Sequence, residues 1–86
     1  MHKFNRGDIF KCLNVWDDGR PDYFTILHVR DDSYSILWVD PQITGAINFT
    51  DISEKNGKVI IFKTNEIQLL SEYESLVLKL KYAQNW

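Results

Sequence analysis

Apolar and polar residues alternate most regularly over residues 23–39, YFTILHVRDDSYSILWV. Residues 23–30 and 33–39 are rich in aromatic and β-branched side chains and predict two strands joined at Asp31-Asp32. Pairing Arg30 with Ser33 places Thr25, Leu27 and Val29 beside Trp38, Ile36 and Tyr34 on one apolar face. The opposite face then carries Phe24, Ile26, His28 and Arg30 beside Val39, Leu37, Ser35 and Ser33, apolar away from the turn and polar near it. The expectation is a central hairpin with one face covered and the second covered in part.

Shorter segments flank this hairpin. The polar lead-in of residues 1–7 offers Phe4 as a plug, and residues 8–16, DIFKCLNVW, predict a first strand. Its faces are Ile9, Lys11, Leu13 and Val15 on one side and Phe10, Cys12, Asn14 and Trp16 on the other. The DDGRPD stretch that follows is a loop, since glycine admits positive φ and proline fixes φ and removes a donor. Asp40-Pro41 closes the hairpin, residues 46–49 predict a short strand, and residues 58–62, KVIIF, predict another. Asn56-Gly57 signals a type I′ turn, as a hairpin or as a loop wrapping into the strand. Ile67, Leu69 and Leu70 fit a short strand or turn at the edge of a barrel.

The last segment supports two readings. Ser71 with Glu74 three residues on forms a capping box, and Tyr73, Leu76, Val77, Leu80 and Ala83 recur at helical spacing. Alternation of Leu76, Leu78, Leu80 and Tyr82 with Val77, Lys79 and Lys81 also fits a strand. The helix is preferred, with its apolar stripe laid over the half-exposed face of the hairpin. The fold expected is a single small domain over residues 1–86. It is β-rich, a small mostly antiparallel barrel or curled sheet of five or six strands with a C-terminal helix.

Composition narrows the function classes. A hydrophobic content of 44% with 14% aromatics over 86 residues argues against disorder and for one modest core. The net charge of −2 disfavours indiscriminate binding to phosphate backbones. Cys12 is the single cysteine, so no intrachain disulfide forms, which favours a reducing compartment. No signal-peptide-like run opens the sequence, and no stretch of about 20 apolar residues occurs, so a soluble cytoplasmic protein is expected.

Catalytic chemistry finds little support in the residues. The phosphate-binding glycine loop, the dinucleotide fingerprint and zinc-ligand spacing are all missing, and His2, His28 and Cys12 make a poor metal set. Cys12 in its apolar context reads as a small buried hydrophobe, and His28 opposite Ser35 as a half-buried histidine bonded to its neighbour. The carboxylates of Asp17, Asp18 and Asp22 lack the spacing of a calcium loop. The expectation is a non-enzyme without cofactor or metal.

Trp16, Arg20 and Tyr23 with Asp17, Asp18 and Asp22 are the residues that point to binding. Tryptophan, tyrosine and arginine dominate protein interfaces, because each buries much area and keeps a polar handle. Short strands with one long early loop resemble an SH3-like domain, where the comparable loop shapes a peptide groove. No ligand motif accompanies that resemblance here. The function expected is a protein-interaction module, an adaptor, subunit or inhibitor of a larger protein, with assembly of several copies also allowed. The alternatives are a structural or assembly role and a nucleic-acid-binding small barrel using Phe10, Lys11, His28, Arg30 and Lys58.

Overall fold

A computed structural model of the protein describes residues 4–39 and 42–81. Seven strands form one curled, half-barrel sheet, followed by a C-terminal helix. The strands are β1 (Ile9–Cys12), β2 (Asp22–Val29), β3 (Ser33–Val39), β4 (Gln42–Asn48), β5 (Ile52–Lys55), β6 (Lys58–Ile61) and β7 (Asn65–Leu69), and the helix is α1 (Glu72–Lys81). Their order across the sheet is β4-β3-β2-β1-β7-β6-β5, with antiparallel neighbours throughout. The sheet is left open, with β4 and β5 as its edges. β7 is therefore interior, between β1 and β6, and not at the edge where the sequence suggested it.

One face of the sheet holds the core. Phe10, Cys12, Phe24, Ile26, Tyr34, Ile36, Ile47, Ile61 and Ile67 pack together there, with Phe4 as the plug that the lead-in predicted. Period-two alternation supplies two of these residues from each of β1, β2 and β3, while β4, β6 and β7 add one each. The rings run in contact from Phe49 through Tyr34, Phe4, Phe10 and Phe24 to Trp38, at centroid separations of 4.5–5.3 Å. The Phe4 amide donates to the Tyr34 hydroxyl at 3.0 Å and holds the lead-in against the third strand.

The central hairpin departs from the expected facing in one respect. Near its turn the register is as predicted: the Arg30 amide donates to the Ser33 carbonyl, Val29 opposes Tyr34 and His28 opposes Ser35. A β-bulge at Leu27 then shifts the pairing, so that Ile26 opposes Ile36 and Phe24 opposes Trp38. One inserted residue turns every side chain beyond it to the other face. Phe24 and Ile26 thereby join Tyr34, Ile36 and Trp38 in the core, while Leu27 is only half-buried and Val29 is exposed.

Other elements sharpen or revise the sequence reading. β1 ends at Cys12, short of the predicted Trp16, because Asn14 turns the chain with a φ of 65°. The Asn65 side chain fixes that turn by donating to the carbonyls of Leu13 and Asn14, at 3.0 and 3.2 Å. β4 is longer than predicted and starts at Gln42, paired with Val39; Asp40 and Pro41 lie outside the described residues. Asn56 and Gly57, both with positive φ, join β5 to β6 as a hairpin. The next turn, from Ile61 to Thr64, likewise has positive φ at both central residues, but these are Phe62 and Lys63. No helix among the described residues is long and apolar enough to cross a membrane.

Candidate functional site

The loop between β1 and β2 is built around Arg20. Its guanidinium lies over the Trp16 ring at 4.7 Å and its Nε meets the Asp18 carboxylate at 3.2 Å. The Arg20 amide also donates to Asp18, and the Gly19 amide closes a turn on the Trp16 carbonyl. Cation–π contact, an exposed ion pair and a turn together hold the loop tip in shape. Asp17 is exposed beside them, while Trp16 is half-buried.

Asp22 and Tyr23 belong elsewhere. Asp22 is buried at the start of β2, opposite Cys12, and accepts the Tyr23 amide at 2.7 Å. Burial first, and the nearby Asp22 carboxylate second, push the Cys12 thiol up to about 12. The thiol stays protonated at neutral pH and is not a nucleophile. Tyr23 opposes Lys11 and faces the other side of the sheet, towards α1. Strand alternation thus divides the predicted rim into a self-contained loop tip, a buried carboxylate and a tyrosine beneath the helix.

The residues of the nucleic-acid alternative are also dispersed. Phe10 is buried in the core and unable to stack on a base, and Lys11 points to the opposite face. His28 and Arg30 are exposed near the β2–β3 turn, where Arg30 donates from Nε to the Ser35 hydroxyl at 2.9 Å. The histidine is therefore exposed, not half-buried as expected. Lys58 pairs with Glu66 at 3.5 Å on β6 and β7, across the sheet from them.

α1 presents the surface that the sequence did not lead one to expect. The capping box forms as predicted: the Ser71 amide donates to Glu74 Oε1 and the Glu74 amide to Ser71 Oγ, each at 3.1 Å. These Ser71 bonds, with a smaller contribution from the charge of Lys11, hold the Glu74 carboxyl below its usual range. The buried side of the helix is not the predicted stripe. Leu78, at 7% exposure, seats it on the sheet face opposite the core, while Tyr73, Leu76 and Leu80 are 76%, 55% and 70% exposed on the far side. Ala83, the last residue of the predicted stripe, lies outside the described residues.

Two grooves flank the helix. The larger, of about 500 Å³, runs between α1 and the end of β7 and is lined by Ile9, Leu69, Glu72, Leu76 and Lys79 among others. The other, of about 310 Å³, is lined by Lys11, Tyr23, Tyr73, Val77 and Leu78 among others. With Leu69 and Val77 also exposed, the apolar surface extends from the helix crest into both grooves. Leu78 was the available signal: it falls outside the stripe, so the helix is apolar on two opposite sides and no single face could be buried with all its leucines. Comparison with known protein families, curated proteins and solved structures finds no match to this chain.

Proposed function

We propose that the protein is a small interaction module that binds another protein through the outward face of α1. The observation that carries this reading is the exposure of Tyr73, Leu76 and Leu80 along one side of a helix already anchored from beneath by Leu78. Scattered apolar side chains are normal on a protein surface, but a contiguous stripe continued by grooves marks a site of association. The stripe stands on a capped helix fixed to a sheet, so little order is lost when a partner covers it. In the loop of Trp16, Arg20 and Asp18 the arginine already pairs with the aspartate and stacks on the tryptophan, and the loop ranks behind the helix as a contact surface. A cytoplasmic setting accords with Cys12 as a free, buried thiol.

A photo-crosslinking residue placed at Leu76 or Leu80, and at His28 as a control, tests the reading in living cells. Protein adducts formed from both helix positions, and not from His28, are the expected result. Equal labelling at all three positions, or none from the helix, would remove α1 as the interface.

A further inference from the structure

We propose that the occupant of this face is a second copy of the chain, docked helix to helix in the antiparallel sense about a two-fold axis. The inference rests on α1 being the interaction surface and adds the identity of the partner. Tyr73, Leu76 and Leu80 are spaced three and then four residues apart, the spacing by which two helices interlock along a seam. Glu72 and Lys79 flank that seam on one side and both line the larger groove. Neither is held in an ion pair among the described residues.

The order of the charges selects the arrangement. The first turn of α1 carries Glu72 and Glu74, and the last carries Lys79 and Lys81. In an antiparallel pair each flank meets the same flank of the other helix running in reverse, so Glu72 faces the partner's Lys79 and Lys79 faces the partner's Glu72. The two-fold axis that makes these contacts reciprocal passes near Leu76 and sets Tyr73 against the partner's Leu80. A parallel pair would bring glutamates together at one end and lysines at the other, which disfavours it. Leu69, exposed beside Leu76 in the larger groove, extends the apolar area available to the partner. One ten-residue helix per copy makes a small interface, so dissociation in the micromolar range is expected.

Sedimentation of the purified protein from micromolar to submillimolar concentration provides the test, with folding of each variant verified by circular dichroism. Wild type is expected to pass from monomer to dimer, and Leu80→Lys to remain monomeric. Glu72→Lys and Lys79→Glu should each weaken the dimer by roughly tenfold, because each replaces two reciprocal attractions by two repulsions. The double variant Glu72→Lys/Lys79→Glu restores complementarity and should return to within about twofold of wild type. A monomer at every concentration overturns self-pairing, as does a dimer indifferent to Leu80→Lys or a double variant weaker than either single one. If the purified protein is monomeric while crosslinks from Leu76 and Leu80 still trap a different protein, self-pairing alone is lost. If those crosslinks are also missing, the interaction reading falls with it.

Discussion

Leu78 and Leu80 lie two residues apart on α1 and point in opposite directions, one into the sheet at 7% exposure and the other to solvent at 70%. Chemically identical side chains on one short helix therefore sit in opposite environments. Leu78→Ala is expected to cost about 2–3 kcal/mol by opening space between helix and sheet. Leu80→Ala, measured at concentrations where the protein is monomeric, should change stability by less than about 0.5 kcal/mol. Urea melts of the two variants check this; equal losses would mean that the helix is seated on a different face.

The bulge at Leu27 separates two residues that simple alternation treats alike. Ile36 is fully buried in the core, whereas Leu27 is half-buried and has no residue directly opposite it. Ile36→Ala should cost about 2–5 kcal/mol and Leu27→Ala about 1 kcal/mol. Denaturant melts decide, and a Leu27 loss as large as that of Ile36 would contradict the bulged register.

Cys12 makes stability fall with alkali. Its folded-state pKa is raised from the ordinary 9.0 to about 12, so the unfolded chain releases this proton first as pH rises. The contribution is intact below pH 9 and is lost progressively towards pH 12, at no more than about 1.4 kcal/mol per pH unit. The difference in unfolding free energy between wild type and Cys12→Ala should therefore be constant below pH 9 and shrink above it. A difference that stays constant up to pH 11 would show that burial does not hold the thiol protonated.

Phe62 and Lys63 occupy left-handed backbone, with φ of 52° and 69°. Residues with a Cβ atom are strained there by about 1–2 kcal/mol, and glycine is not. Lys63→Gly should raise the unfolding free energy by about 0.5–1 kcal/mol once the added freedom of the unfolded chain is subtracted. Thermal and urea unfolding measure the change; a net loss would mean that the lysine side chain makes a compensating contact.

Much of the architecture was legible where residue type and backbone preference agree. The Tyr34 and Ile36 face, the Asn56-Gly57 turn, the Phe4 plug and the Ser71–Glu74 cap each follow from a local rule that the surrounding structure reinforces. What escaped the reading depends on events with no residue signature. A bulge at Leu27 leaves composition unchanged while reversing the facing of Phe24 and Ile26. The Ile61–Thr64 turn uses Phe62 and Lys63 in conformations that their side chains oppose, so it carries no turn signal. Periodicity marked the apolar side of α1, but it does not say whether an apolar side is buried in the same chain or left outward. For the loop residues, proximity along the chain was a poor guide, because alternation along β2 sends Asp22 and Tyr23 to opposite faces.

The central position of β1 has a kinetic consequence. β1 to β4 form one meander and β5 to β7 another, each zipped by pairing between strands adjacent in the chain. The four residues of β1 are the seam that joins the two, and its contact with β7 pairs Phe10 with Leu69 and Cys12 with Ile67. Closing that seam brings together residues as far apart in the chain as Phe10 and Leu69, whereas each meander forms through local contacts. Folding is therefore expected to run as two fast local assemblies followed by one slow docking along β1. Substitutions at Ile67 should mainly accelerate unfolding, and those within the β2–β3 hairpin should mainly retard folding.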